Sequence, residues 1–271
     1  MSRITNTLLF ALALAGLAGC GVQAGENGLS FVFAQREADT TFGWSGQIAD
    51  GQWLEIKGVN GAVNATPASG GTAEVTAVRT GRRSDPNEVE IVVVEHDDGV
   101  TICAVYPSRG DRPNECVPGS GGRNSTRRND VKVDFEVAVP DGVRFAGRMV
   151  NGAVRADGLD GDVLARTVNG GIRLSTSQRA TARTVNGSIE AAFGGSTLAG
   201  ETEFETVNGS ITLDVSDTLD ADLRIRTTNG RIRADVPMVA TRTSRRRVEG
   251  TLGNGGATLS LRTVNGSVTV E

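Results

Sequence analysis

The sequence predicts an all-β, single-domain β-solenoid of the parallel β-helix type, and three observations carry that prediction. First, a short phrase recurs: Thr-Val-Asn-Gly, then a small residue, then Ile or Val. It stands at Thr167–Ile172, Thr184–Ile189, Thr206–Ile211 and Thr263–Val268, with looser copies at Val59–Val63, Val150–Val154 and Thr228–Ile232. Second, the chain is rich in glycine (36 residues) and poor in aromatics (4 %), with Thr, Val and Asn recurring, a balance that favours strands and turns. Third, apolar and polar residues alternate with period two around each copy. A phrase that returns at one phase marks a stacked repeat, each copy a rung that cannot bury its apolar face alone.

Taken in order, residues 1–19 read as an export signal. Arg3 supplies the positive start and Leu8 to Leu17 an apolar run too short to span a bilayer. Leu17-Ala18-Gly19-Cys20 resembles a bacterial lipobox, which makes Cys20 the candidate lipidation site and the membrane a partner through acyl chains. Ordinary cleavage after Val22-Gln23-Ala24 is the alternative. Residues 20–40 then read as a flexible tether, and 41–271 as the solenoid domain. The segment from Phe42 through Trp53 holds much of the aromatic mass. It either caps the open end of the stack or forms a sugar platform.

The N-terminal half is irregular. Glu74 to Arg79 reads as a strand and Gly81 to Asn87 as a loop. Val89 to Glu95 and Val100 to Tyr106 read as a hairpin inserted around His96-Asp97-Asp98-Gly99. His96 beside two aspartates could begin a metal site, yet a solvated turn needs fewer assumptions, since no second His is present. Cys103 and Cys116 flank one loop and, in an exported chain, read as a disulfide; a redox pair is the other reading, against which the spacing is not Cys-x-x-Cys. Val131 to Val139 alternates again before the Pro140-Asp141-Gly142 turn.

From Val143 the pattern is regular. Asparagines at 151, 169, 186, 208 and 229 set rungs of roughly 17–22 residues. The wider gap to Asn265 is expected to hide one degenerate rung at Gly250–Gly256. Asn-Gly is also the signature of a two-residue hairpin, so a meander is a rival. Two arguments favour the solenoid. A hairpin would turn Val185 outward whenever Thr184 faces inward, although Val is nearly constant there. And rungs about 4.8 Å apart would align Asn60, Asn151, Asn169, Asn186, Asn208, Asn229 and Asn265 in a column whose amides donate to one another.

Together, the Trp53-to-Ala65 segment, the His96-to-Pro107 segment and the repeated Thr-Val-Asn-Gly resemble the bacterial "putative adhesin" family, a domain of unknown function. The resemblance spans about residues 40–271. It implies a β-solenoid that works in the cell envelope, with no catalytic residues and no cofactor to carry across.

In-register rungs would place Arg148, Arg166, Arg183, Glu205, Arg226 and Arg262 in one exterior column, and Arg155, Arg173, Glu190, Thr212, Arg233 and Thr269 in another. Stacked like charges repel. The arginines are thus a candidate face for anionic envelope polymers, or a solvated face attended by nearby acids. Asp157, Asp160 and Asp162 are a weak metal or acid–base candidate within an ordinary Gly-rich turn. The net charge of −4 argues against nucleic acid as partner. The expected role is non-catalytic: a lipid-anchored protein of the outer membrane or cell surface, meeting envelope polysaccharide or another surface protein. A polysaccharide-active β-helix enzyme and an accessory of envelope-stress signalling are the alternatives.

Overall fold

The computed structural model describes residues 23–25, 28–30, 40–108, 111–126 and 128–271. Cys20, the signal segment 1–19 and most of the tether lie outside the described residues. The first unit, Met1–Asp39, contains an antiparallel pair, Gln23–Gly25 with Gly28–Ser30. The second, Thr40–Glu271, carries the repeat.

Each rung of the repeat is a pair of short strands joined by the Val-Asn-Gly corner. The first strand enters an eleven-stranded sheet and the second a ten-stranded one. Val163–Arg166 and Ile172–Thr176 make one such rung; Ala180–Asn186 and Ile189–Phe193 make the next. Neighbouring rungs pair in parallel and in register, Ala165 with Ala182 and Ile172 with Ile189. The inner faces of both sheets meet in one core of Val, Ile, Leu and Ala, where Phe193 and Phe204 stack with centroids 6.0 Å apart. The fold is the β-solenoid that the phrase predicts.

Each residue of the phrase has its own task. The threonine faces inward, and its hydroxyl donates to the phrase-glycine carbonyl of the adjacent rung: Thr167 to Gly152, Thr184 to Gly170, Thr206 to Gly187, Thr263 to Gly209 and Thr227 to Gly266, at 2.8–2.9 Å. The glycine serves close approach. A Cβ at Gly187 would lie 1.9 Å from the Gly170 oxygen, and one at Gly209 the same distance from Gly187. The following Ile or Val enters the core.

The valine corrects one argument made from sequence. Val168, Val185 and Val207 point outward, 41, 40 and 36 % exposed, while the threonines before them are buried. Constancy of that valine therefore does not separate solenoid from hairpin. Its β-branch suits an extended strand end on either design.

Rung order departs from chain order at both ends. The rung Trp53–Lys57 and Val63–Pro67 lies between Arg144–Arg148 with Val154–Leu159 on one side and Gly99–Val105 with Lys132–Val139 on the other. At the far end, Thr258–Asn265 and Val268–Val270 slot between two rungs consecutive in sequence, Thr202–Asn208 with Ile211–Val215 and Ala221–Asn229 with Ile232–Ala234. The last residues of the chain are thus hydrogen-bonded from both sides. The degenerate rung expected at Gly250–Gly256 is not one. Arg247–Leu252 pairs antiparallel with both Ala221–Asn229 and Met238–Ser244, forming a terminal hairpin. Asn254 leaves the column because Asp220 claims its backbone N–H at 2.7 Å and its side-chain amide at 3.2 Å.

The N-terminal end is closed by Thr41–Gln47 and Thr72–Thr80 on the ten-stranded sheet and by Glu90–His96 on the eleven-stranded one. Phe42 and Trp44 pack against the core from that end. Trp53 instead opens a rung, with the Arg144 guanidinium 5.7 Å from its ring centre.

Candidate functional site: the asparagine column and the arginine column

The seven asparagines stand along one corner of the coil in the order 60, 151, 169, 186, 208, 265, 229. Each side-chain amide donates to the carbonyl of the one before it, at 2.8–2.9 Å throughout. At the N-terminal end the Asn60 amide reaches Val131 O at 3.4 Å, and the buried Tyr106 hydroxyl donates to Val131 O at 2.7 Å. Burial pushes that phenol up to about 12. This column braces the coil; its polar groups satisfy one another.

The arginines are split between the two sheets. Arg148, Arg166, Arg183, Arg262 and Arg226 follow one another on the eleven-stranded sheet, with Glu205 between Arg183 and Arg262. Arg155, Arg173 and Arg233 stand on the ten-stranded sheet, so the two sets do not share a face. There Arg173 pairs with Glu190 at 2.9 Å, Arg233 pairs with Asp235, and Arg155 reaches the Asn64 side chain at 3.4 Å.

On the first column the charges are unevenly matched. Arg148 donates through Nε to the buried Glu55 carboxylate at 2.5 Å. Arg183 pairs with Glu203 at 2.5 Å, which raises its pKa, and Glu205 stands 3.8 Å from Arg262. Arg166, between Arg148 and Arg183, has no carboxylate within 4 Å among the described residues, and its buried Nε lacks a hydrogen-bond partner. Burial, then repulsion from Arg148 and Arg183, lowers its pKa. Only the more distant Glu203 offsets those two neighbours, so an added anion at the exposed part of this stack would be favoured.

Register extends this column to residues that the sequence reading passed over. Lys57 stands beside Arg148, and the signal was present: it lies two residues before the Val59 of a loose phrase copy. Its ammonium is committed to the segment that follows the Cys103–Cys116 disulfide, donating to the carbonyls of Val117, Gly119 and Gly121 at 2.7, 3.0 and 2.8 Å. Glu55 holds the same segment, accepting from Gly119 N at 2.7 Å, and accepts from Thr101 Oγ1 on the neighbouring strand at 3.0 Å. Its alternation with Leu54 and Ile56 marks it as outward-facing, but no sequence signal brings a loop from beyond residue 107 on top of it.

The acidic turn is occupied by internal partners. Asp162 pairs with Arg179 at 2.5 Å and lies 3.7 Å from Arg144, and Asp160 accepts from Ser177 at 2.7 Å. Asp157 lies exposed at its own position. Among the described residues no three His, Cys, Asp or Glu side chains gather as a metal site, and no helix is long and apolar enough to cross a membrane. His96 is half-buried in the hairpin, its Nε2 3.1 Å from Thr101 Oγ1.

Residues 150–271, the C-terminal part of the chain with most of the asparagine column, match the family described as Toastrack DUF4097. Among solved structures the chain is similar to one described as a "putative cell adhesion protein" from Clostridium sporogenes, at 10 % identity over 85 % of this chain and 98 % of that one, with a TM-score of 0.44. It is also similar to a "putative adhesin" from Bacteroides fragilis, at 11 % identity over 86 % and 98 %, with a TM-score of 0.35. No curated protein matches the chain.

Proposed function

We propose that this chain is a non-catalytic protein of the cell envelope or surface, anchored through lipid on Cys20, whose stiff coil presents the Arg148–Arg166–Arg183 stack to anionic glycans. The observation that carries the reading is the in-register column of arginines on the eleven-stranded sheet, in which Arg166 is a part-buried cation between Arg148 and Arg183 with no carboxylate within 4 Å among the described residues. In-register stacking repeats such groups about every 4.8 Å, and guanidinium groups grip carboxylate and phosphate oxygens in paired hydrogen bonds. A non-catalytic role fits the acidic turn, where Asp160 and Asp162 are committed to Ser177, Arg144 and Arg179.

Retention of the purified domain on immobilised anionic polysaccharide tests this reading. The wild type should be retained at low salt and released as salt rises. Reversing Arg166, Arg183 and Arg226 to Glu should abolish retention; unchanged retention would overturn the proposal. Release of reducing ends from the same polymer would instead favour the glycan-cleaving alternative.

A further inference from the structure

The two ends of the coil are uneven in opposite ways. At the N-terminal end the last full rung is Gly99–Val105 with Lys132–Val139. Beyond it the ten-stranded sheet adds two strands, Thr72–Thr80 and Thr41–Gln47, and the eleven-stranded sheet adds one, Glu90–His96. The eleven-stranded sheet thus stops one strand short, and Phe42 and Trp44, which face the core from Thr41–Gln47, are only half-buried. At the C-terminal end the last full rung is Ala221–Asn229 with Ile232–Ala234. Here the eleven-stranded sheet adds two strands, Arg247–Leu252 and Met238–Ser244, and the ten-stranded sheet none. One end has a step the width of a strand; the other has a projecting hairpin.

Both edges are open. Trp53 N–H donates to Asp98 O, which turns the backbone of Gly99, Thr101 and Cys103 toward Glu90–His96 and leaves Ile91, Val93 and Glu95 with N–H and C=O groups directed away from it. The stretch Ile91-Val92-Val93-Val94 has no Pro, Gly, bulge or charge, and among the described residues no strand pairs with its open side. An unguarded apolar edge is a template for a further strand. At the other end Thr227 N–H donates to Arg246 O, and by the same alternation Thr243 turns its backbone outward. That edge is guarded by a bulge between Ala240 and Arg242 and by the Arg242 charge. A cationic guard disfavours a neutral neighbour and accepts an acidic one.

Charge and direction match the two ends. Glu90, Glu95, Asp97 and Asp98 flank the step, exposed and without an ion pair among the described residues. The nearby Arg79 is committed to the carbonyls of Thr40 and Val89. The hairpin carries Arg242, Arg245, Arg246 and Arg247 against the single carboxylate of Glu249. Glu90–His96 runs antiparallel to the rung strands of its sheet, and Met238–Ser244 runs parallel to them. Two copies stacked with the same polarity therefore bring these edges together antiparallel, which puts Met238 on the side of Phe42 and Trp44.

We propose that the chain associates head to tail, the Met238–Leu252 hairpin of one copy pairing with the Glu90–His96 edge of the next and filling the step before Phe42 and Trp44. The contact is heterologous, so each copy keeps a free end and the coil is prolonged from copy to copy. Arg148, Arg166 and Arg183 take no part, so the proposal stands or falls apart from glycan binding.

The test is sedimentation velocity of the chain from Gly21 on, over a range of concentrations. Wild type should form species larger than a dimer that dissociate as salt rises. Glu95→Pro and Thr243→Pro each remove an outward N–H and leave the hairpin bonds in place, so each variant alone should be a folded monomer. Mixed in equal amounts they should form dimers and nothing larger, because one intact hairpin meets one intact step. Should a proline variant fail to fold, Arg245→Glu/Arg246→Glu reads the hairpin from its exposed turn and should weaken association at least about tenfold. A wild type that stays monomeric at millimolar concentration, or association that stops at the dimer, would overturn the proposal. So would association unchanged in Arg245→Glu/Arg246→Glu, folded proline variants that still associate alone, or a mixture of them that stays monomeric.

Discussion

At the scale of single residues, the phrase is a set of unequal constraints. Glycine is the strictest, because the missing Cβ leaves room for the carbonyl of the adjacent rung: Gly170, Gly187, Gly209, Gly230 and Gly266 all lack positive φ, yet a Cβ at each would fall within 2.0 Å of that oxygen. Threonine is next, its buried hydroxyl satisfying the same carbonyl. Asparagine is the mildest, since its amide bonds lie at the surface. Gly187→Ala is therefore expected to cost the most, about 3 kcal/mol or more, by forcing two rungs apart. Thr206→Val should cost about 1–3 kcal/mol through the abandoned Gly187 carbonyl, and Asn186→Ala about 1–2 kcal/mol through two lost amide bonds. Urea denaturation of the three variants checks this order; Asn186→Ala as the most damaging would contradict it. The asparagines were legible in the sequence because they recur at one phase. The reason for the glycine was not: Asn-Gly suggests positive φ, and close approach between backbones appears only once rungs are stacked.

At the scale of elements, the regular rungs were legible and the ends were not. Alternation over Val163 to Thr176 fixes two strands and a corner without reference to any partner. No local pattern says that Thr258–Val270 inserts between rungs already consecutive in sequence, because its phrase fits any position in the column equally well. Its place is set by the Met238–Leu252 excursion, which caps one side and returns the chain inward. At the other end Tyr106 joins the disulfide loop to the column, with its hydroxyl on Val131 O. Its pKa is raised from the ordinary phenol value near 10 to about 12. A raised folded-state pKa contributes stability that is complete below the unfolded value and is lost as pH climbs through the folded one. Stability should accordingly hold up to about pH 10 and fall between roughly pH 10 and 12. Denaturant titrations across that range should show this component of the decline vanish in Tyr106→Phe; a decline identical to wild type would exclude Tyr106 as its source.

At the scale of the whole molecule, the register carries both the coil and the candidate site. The sequence placed the arginines in two columns but could not say that the columns occupy different sheets, since that depends on how sharply the Val-Asn-Gly corner folds the rung. Nor could it distinguish a paired arginine from an unpaired one, because Glu55 and Glu203 find Arg148 and Arg183 only across neighbouring rungs. The open step beside Glu90–His96 lies further still from any sequence signal, being assembled from segments that meet only in three dimensions. All of it follows from the stacking order 60, 151, 169, 186, 208, 265, 229. Paired cysteines at exposed register positions on the ten-stranded sheet test that order most directly, because Thr212 lies beside Thr269, and Thr269 lies between Thr212 and Arg233. Under mild oxidation, Thr212→Cys/Thr269→Cys should form a disulfide within the folded monomer and Thr212→Cys/Arg233→Cys should not. The reverse result would mean that the rungs stack in chain order, and would contradict the account.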